Sequence, residues 1–266
     1  GGFGEILDWV EQKAPLKRNI EGSDVGDTAL YSSAMPGRWD LKGMTCVVTG
    51  GSKGLGLACV TEMLQLGASV LLTARGVDEL EAVHKQHSAQ HSGRVHILAA
   101  DVSEASGREA LVSRVVELWG GSLDILVNNV GTNKRQRVED STEDEYQQMV
   151  ATNQDSAYFL CKLCLPLLRK SSYPSVVNVS SLAGVRSSGT GVIYAMTKAA
   201  MVHMSEALAC EWAGYGIRVN SIHPAIIRTE MGNNVIKGWA RLGLAESEAE
   251  AEALFEQVQP LGYGEP

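Results

Sequence analysis

From residue 44 onward, short apolar runs alternate with longer stretches of mixed polarity. Residues 44–49, 69–73, 95–99, 123–127, 175–179 and 218–222 form such runs, several dense in β-branched side chains. Near-continuous apolar runs of this length mark strands buried on both faces. Between them the spacing predicts helices over 57–66, closed by Gly67, from about residue 77, and over 104–119, stopped by Gly120 and Gly121. A long helix is expected from about Thr142 to Arg169, and another over 194–213. Strands separated by helices imply an α/β protein in which a parallel sheet is covered on both sides. Right-handed crossovers make it doubly wound and Rossmann-like, a single domain with ligands beyond the carboxyl ends of the strands.

The chain has 266 residues, long enough to bury one large core. Its net charge of −8 argues against a nucleic-acid surface, and no run is long enough to span a membrane. Five cysteines, an odd number without framework spacing, imply free thiols in a reducing compartment. The cytosol is the default, with a plastid as the alternative.

Thr49 to Gly56 reads Thr-Gly-Gly-Ser-Lys-Gly-Leu-Gly, directly after the first strand and opening the first helix. Glycines there let the backbone turn tightly against a pyrophosphate, and the helix start offers free N–H groups. Gly50, Ser52, Lys53, Gly54, Leu55 and Gly56 are therefore candidate cofactor contacts. The end of the second strand carries Arg75, where a carboxylate would select NAD and an arginine accommodates the extra phosphate of NADP. With Lys53 nearby, the expected cofactor is NADPH. Asp101 and Val102 follow the third strand, facing the adenine, while Asn128, Val130 and Gly131 follow the fourth and line the cofactor with backbone groups.

Ser181 ends the fifth strand, and Tyr194 and Lys198 stand four apart, on one helix face. A free tyrosine has a pKa near ~10. A neighbouring ammonium favours the phenolate and makes the hydroxyl a usable acid or base. Ser181 can hold a carbonyl oxygen toward it.

With these motifs in place the chain resembles the short-chain dehydrogenase/reductase family over residues 41–265. The Thr49–Gly56 turn, Asn128-Asn129-Val130-Gly131, and Ser181, Tyr194 and Lys198 carry that resemblance, with Asn153 in the position of the fourth catalytic residue. It implies that Tyr194 protonates the carbonyl oxygen and that Lys198 binds the nicotinamide ribose and tunes Tyr194. Ser181 would orient the substrate, and Asn153 would hold a water of the proton relay. It also implies cofactor contacts from Pro224, Ile227 and Thr229, a small-molecule carbonyl substrate, no metal, and a homodimer or homotetramer.

Arg38-Trp39 with Leu41 to Met44, Asn128 to Asn133, and Leu208 to Ala213 resemble the tropinone reductase-like group more closely. The expected function is NADPH-dependent reduction of a ketone or aldehyde. The alternatives are a 3-ketoacyl-acyl-carrier-protein reductase and an inactive nucleotide-binding fragment. Val130 stands where the family has alanine, and Ala225 where it has glycine. The family's last strand, which normally follows Gly264-Glu265-Pro266, is expected to be missing. The substrate pocket is expected from Thr132, Asn133, residues 185–193 and 227–244, with a substrate-loop region over about 224–260 of the 37–266 reductase domain.

Residues 1–36 read as an N-terminal helical extension. Part of this extension resembles the late region of enoyl-acyl-carrier-protein reductases, which suggests either a fusion or helices docked in place of the missing one. His84, His87 and His91 recur on one helix face and read as solvated rather than metal-binding. Cys161 and Cys164 lie mid-helix among leucines and read as core. Residues 246–252 form an acidic helix, expected as a flap over the substrate.

Overall fold

The computed structural model describes residues 40–186 and 191–258, without the side chains of 257 and 258. The expectations for residues 1–36, for Arg38-Trp39 and for 187–190 lie outside the described residues. Among the described residues six strands form one parallel sheet: β1 (Thr45–Thr49), β2 (Ser69–Ala74), β3 (Val95–Ala99), β4 (Ile125–Asn128), β5 (Ser175–Val179) and β6 (Arg218–Ile222). Their order is β3-β2-β1-β4-β5-β6. The chain thus winds outward on one side of β1 and then crosses to β4 on the other. This reversal opens a crevice beyond the ends of β1 and β4, where the glycine turn lies.

The strand periodicity sorts side chains to two cores. Cys46 and Val48 face one side with Val70, Leu72 and the helix residues Val60, Leu64, Leu80 and Val83. Val47 faces the other with Leu71, Leu126, Val176, Leu111, Leu160, Cys161 and Trp212. Burying one such leucine fully contributes about 1.5–3 kcal/mol, so a one-residue register slip would forfeit many of these contacts at once. In chain order the helices are α1 (Gly54–Gln65), α2 (Val77–Ser88), α3 (Ala105–Trp119), α4 (Glu143–Val150), α5 (Ser156–Leu168) and α6 (Val192–Trp212). Two more follow, α7 (Glu230–Arg241) and α8 (Glu248–Val258).

Local chemistry sets the boundaries. Gly120 ends α3 in the left-handed conformation, with φ 64°. Thr142 starts α4 with a capping box in which its side chain accepts from the Glu145 N–H. The expected single helix from Thr142 to Arg169 is interrupted by a π turn over Ala151–Asp155. That turn carries Asn153, and apolar periodicity does not register one extra residue in a helix.

The expected solvated histidine face is corrected at one position. His87 is buried, with Nε2 3.3 Å from the Thr61 hydroxyl on α1, while His84 stays exposed. The acidic helix expected over 246–252 begins at Glu248. It belongs to α8, which packs on α7 through a Trp239–Phe255 ring contact at 4.5 Å and the buried Ala251. Cys161 and Cys164 are core, and burial pushes the Cys161 thiol up to about 12. Among the described residues no helix is long and apolar enough to cross a membrane, and no group of three or more metal-ligating side chains converges.

Candidate active site

The glycine turn is built so closely that side chains would not fit. Gly50 holds φ 66°, and its N–H donates to the Thr73 carbonyl at 2.8 Å. A Cβ on Gly56 would stand 2.1 Å from the Gly50 carbonyl oxygen and 2.5 Å from Asn129 Nδ2. Asn129 locks the turn to the end of β4, donating to the Thr49 and Gly50 carbonyls at 2.9 and 3.2 Å. The Thr49 hydroxyl accepts in turn from the Asn129 and Val130 amides. Asn129 belongs to the Asn-Asn motif, yet the motif by itself assigns it no role. A side chain spanning two loops shows no pattern in one dimension.

Around this turn, Ser52 is half-buried, Gly54 begins α1, and Leu55 packs against the apolar core with its side chain. Lys53 reaches across to α7, with Nζ 2.8 Å from Glu230 Oε2. Thr229 caps α7 by accepting from the Gly232 N–H at 3.2 Å, and its Cγ2 lies 3.3 Å from where a Gly54 Cβ would be. Arg75 sits exposed at the rim, 3.9 Å from Asp101 Oδ2. Partial burial would raise the Asp101 pKa, but Ser103 hydrogen bonds and the Arg75 charge outweigh it and hold the group below the usual range.

Two residues expected at the cofactor turn their side chains inward. The Asn128 side chain points into the sheet interior, where Nδ2 donates to Asn178 Oδ1 at 2.8 Å and to Cys161 Sγ at 3.4 Å. Asn178 continues this buried network to Ser205. Val102 is a core side chain whose carbonyl accepts from Arg108 at 2.9 Å. Only the backbone of either residue remains to meet a ligand.

The chemical residues converge at the same edge of the sheet. Ser181 follows β5, and its Oγ accepts from the Ala183 N–H at 3.1 Å as a short 3-10 turn begins. Gly184 lets that turn lie against α6, since a Cβ there would be 2.8 Å from the Lys198 carbonyl carbon. Tyr194 stands in the first turn of α6, and the Ser181 side chain acts on its hydroxyl in favour of the phenolate. Lys198, 3% exposed, has Nζ 5.9 Å from the Tyr194 ring centre, donating to the Val179 carbonyl at 2.7 Å. A Cβ on Gly131 would come within 3.2 Å of that Nζ and 3.6 Å of Asn153 Oδ1. Asn153, fully buried, accepts from the Thr132 N–H at 2.7 Å and donates to the Thr132 carbonyl and the Thr197 hydroxyl. The π turn thus clips the loop after β4 to α6. Pro224 accepts from the Leu182 N–H at 2.9 Å, and Ile227 accepts from the Thr229 N–H at 2.8 Å.

The electrostatics differ from the simple lysine–tyrosine picture. Burial pushes the Tyr194 hydroxyl above its ordinary range, against a Ser181 hydrogen bond and the Arg135 charge, both of which favour the phenolate. Burial also lowers Lys198 to about 8. Arg135 is a charged group that sequence reasoning misses. It is 9% exposed and lies two residues beyond Asn133, where the expected pocket stops.

A doubly wound sheet with a glycine turn at its switch point, and a serine, tyrosine and lysine beside it, defines a nicotinamide-dependent dehydrogenase class. The short chain dehydrogenase family matches residues 44–239, and the chain belongs to that family. A chloroplastic tropinone reductase homolog of Arabidopsis thaliana is 42% identical over 231 residues, covering 86% of this chain and 68% of that protein. Other tropinone reductase homologs of that plant match as well, which places the chain in the tropinone reductase-like group. The crystal structure of levodione reductase has a TM-score of 0.77 at 28% identity, covering 84% of this chain and 86% of its own. NAD+-bound xylitol dehydrogenase shares the fold at TM-score 0.79 and 24% identity, covering 84% and 88%.

Proposed function

We propose that the chain reduces a ketone or aldehyde to an alcohol with NADPH, Tyr194 acting as the proton donor. The observation that carries this reading is Lys198 Nζ 5.9 Å from the Tyr194 ring centre, one turn further along α6, beside a glycine turn too tight for side chains. The residues fit a nicotinamide dinucleotide. Gly50, Gly54 and Gly56 form a cradle that a Cβ would strain or fill, and the start of α1 directs backbone N–H groups toward it.

When bound, the cofactor supplies the hydride. Ser181 holds the substrate oxygen, and the Tyr194 hydroxyl gives that oxygen its proton. Lys198 Nζ, next to Gly131, is placed to exchange the Val179 carbonyl for ribose hydroxyls. Asn153 fixes the loop through Thr132, which keeps Gly131 and Lys198 in register.

NADPH is favoured by Lys53 and Arg75 at the rim of the turn. Both have carboxylate partners, Glu230 and Asp101, but these pairs are largely exposed, and such pairs are worth about 0–1 kcal/mol. A phosphate that accepts several charge-assisted hydrogen bonds can displace them. The chloroplastic relative supports a plastid beside the cytosol as the compartment, and exposed Tyr158 and Phe159 on α5 support self-association. NADPH oxidation with a panel of ketones, aldehydes and 3-ketoacyl thioesters tests the reading. Turnover with simple ketones supports it, and turnover with ketoacyl thioesters alone would replace it by the acyl-carrier reading.

A further inference from the structure

We propose that Arg135 is an electrostatic positioning residue for Tyr194, stabilising the negative charge its Oη takes on when the proton leaves. The inference rests on the proposed role of Tyr194 and adds a residue to it. The loop after β4 carries Arg135 between two helices. On the α7 side the absence of a side chain at Gly238 makes room, since a Cβ there would lie 3.3 Å from Arg135 Cβ and 3.5 Å from its Cδ. The guanidinium carbon stands 6.0 Å from the centre of the Trp239 ring. On the α6 side, a Cβ on Gly191 would lie 3.9 Å from Arg135 Cγ. Gly191 caps the helix turn that bears Tyr194, and its N–H donates to the Gln136 carbonyl. The Arg135 carbonyl accepts from Arg241 Nη2 at 2.9 Å, which fixes the loop from the other side.

Burying a guanidinium is costly, and burial here lowers the pKa of Arg135 while the Tyr194 charge opposes that shift. Among the described residues, the groups that act on Tyr194 come from three elements. Ser181 approaches from the end of β5, Lys198 from α6 and Arg135 from the loop after β4. Arg241 on α7 acts on the Arg135 backbone, and the neighbouring Lys134 is paired with Glu145. Lys198 is committed to the Val179 carbonyl and is partly neutral near pH 8. Arginine stays charged throughout the working range, so it supplies the constant share of the field.

Difluorotyrosine incorporated at position 194, whose fluorines acidify the phenol, reports the ionisation of this one group by fluorine NMR without any turnover. The midpoint is expected to rise in Arg135→Gln, and in Arg135→Met should the glutamine variant fail to fold. Arg135→Lys should titrate below whichever neutral variant is used. An unchanged midpoint in the neutral variant, or a lysine variant titrating no lower than it, overturns the proposal. Where turnover is measurable, the basic limb of the reduction profile should move to higher pH in the neutral variants. Absence of turnover in every variant, wild type included, would sink the proposed reaction, while the fluorine midpoints would still decide the electrostatic role of Arg135.

Discussion

Lys198 Nζ lies 5.9 Å from the centre of the Tyr194 ring and gives its short hydrogen bond to the Val179 carbonyl, at 2.7 Å. One helical turn brings the two side chains to the same face, as the spacing requires. The lysine is nevertheless anchored to the end of β5, and burial dominates the proton affinity of both groups.

That anchoring has a pH signature. Lys198 falls from 10.5 to about 8 in the folded chain. Between these values the unfolded chain binds more protons, so stability contributed through this residue rises with pH. Relative to Lys198→Met, the wild type should gain on the order of 3 kcal/mol from pH 7 to about 10.5, at 1.36 kcal/mol per unit. Denaturant titrations of both proteins across that window check this. A flat difference, or one falling with pH, contradicts the burial argument.

Gly56→Ala should cost about 1–3 kcal/mol by overpacking and also weaken cofactor binding. The added Cβ meets the Gly50 carbonyl and Asn129, whose contacts shape the turn. Gly93→Ala is the control. Its φ of 72° makes alanine cost about 1–2 kcal/mol, but nothing lies within 4 Å of the new Cβ. Loss of affinity in both variants, measured by NADPH titration, would show that the tight turn is not the binding element.

Arg75→Ala should weaken NADPH about 10- to 100-fold, from roughly 1.5–3 kcal/mol for a hydrogen bond to a charged group, and NADH much less. The guanidinium is exposed and only loosely held by Asp101, which leaves it able to turn toward a phosphate. Parallel titrations with the two nucleotides decide the matter, and equal losses would remove Arg75 from cofactor choice.

The strands were legible because β-branched runs buried on both faces leave a continuous apolar signal. β5 and β6 fall where the runs place them. The glycine turn and the Tyr194–Lys198 spacing were legible because local backbone geometry and helical periodicity create them. Arg135, Asn129 and the π turn were not. Arg135 depends on space left by Gly238 and Gly191, more than 50 residues further along the chain. The π turn adds one residue to a helix whose apolar stripe continues on both sides. The side chain of Asn128 was not legible either: its motif position suggests backbone groups toward the cofactor, while the side chain joins a buried network with Asn178 and Ser205.

The most direct test removes one oxygen. Tyr194→Phe should lower NADPH-dependent ketone reduction by about 10²–10⁴-fold, the share a positioned general acid contributes. NADPH affinity, measured by fluorescence quenching, should remain nearly that of the wild type. Reduction at the wild-type rate in Tyr194→Phe would contradict the account, because the proton would then have to come from another group.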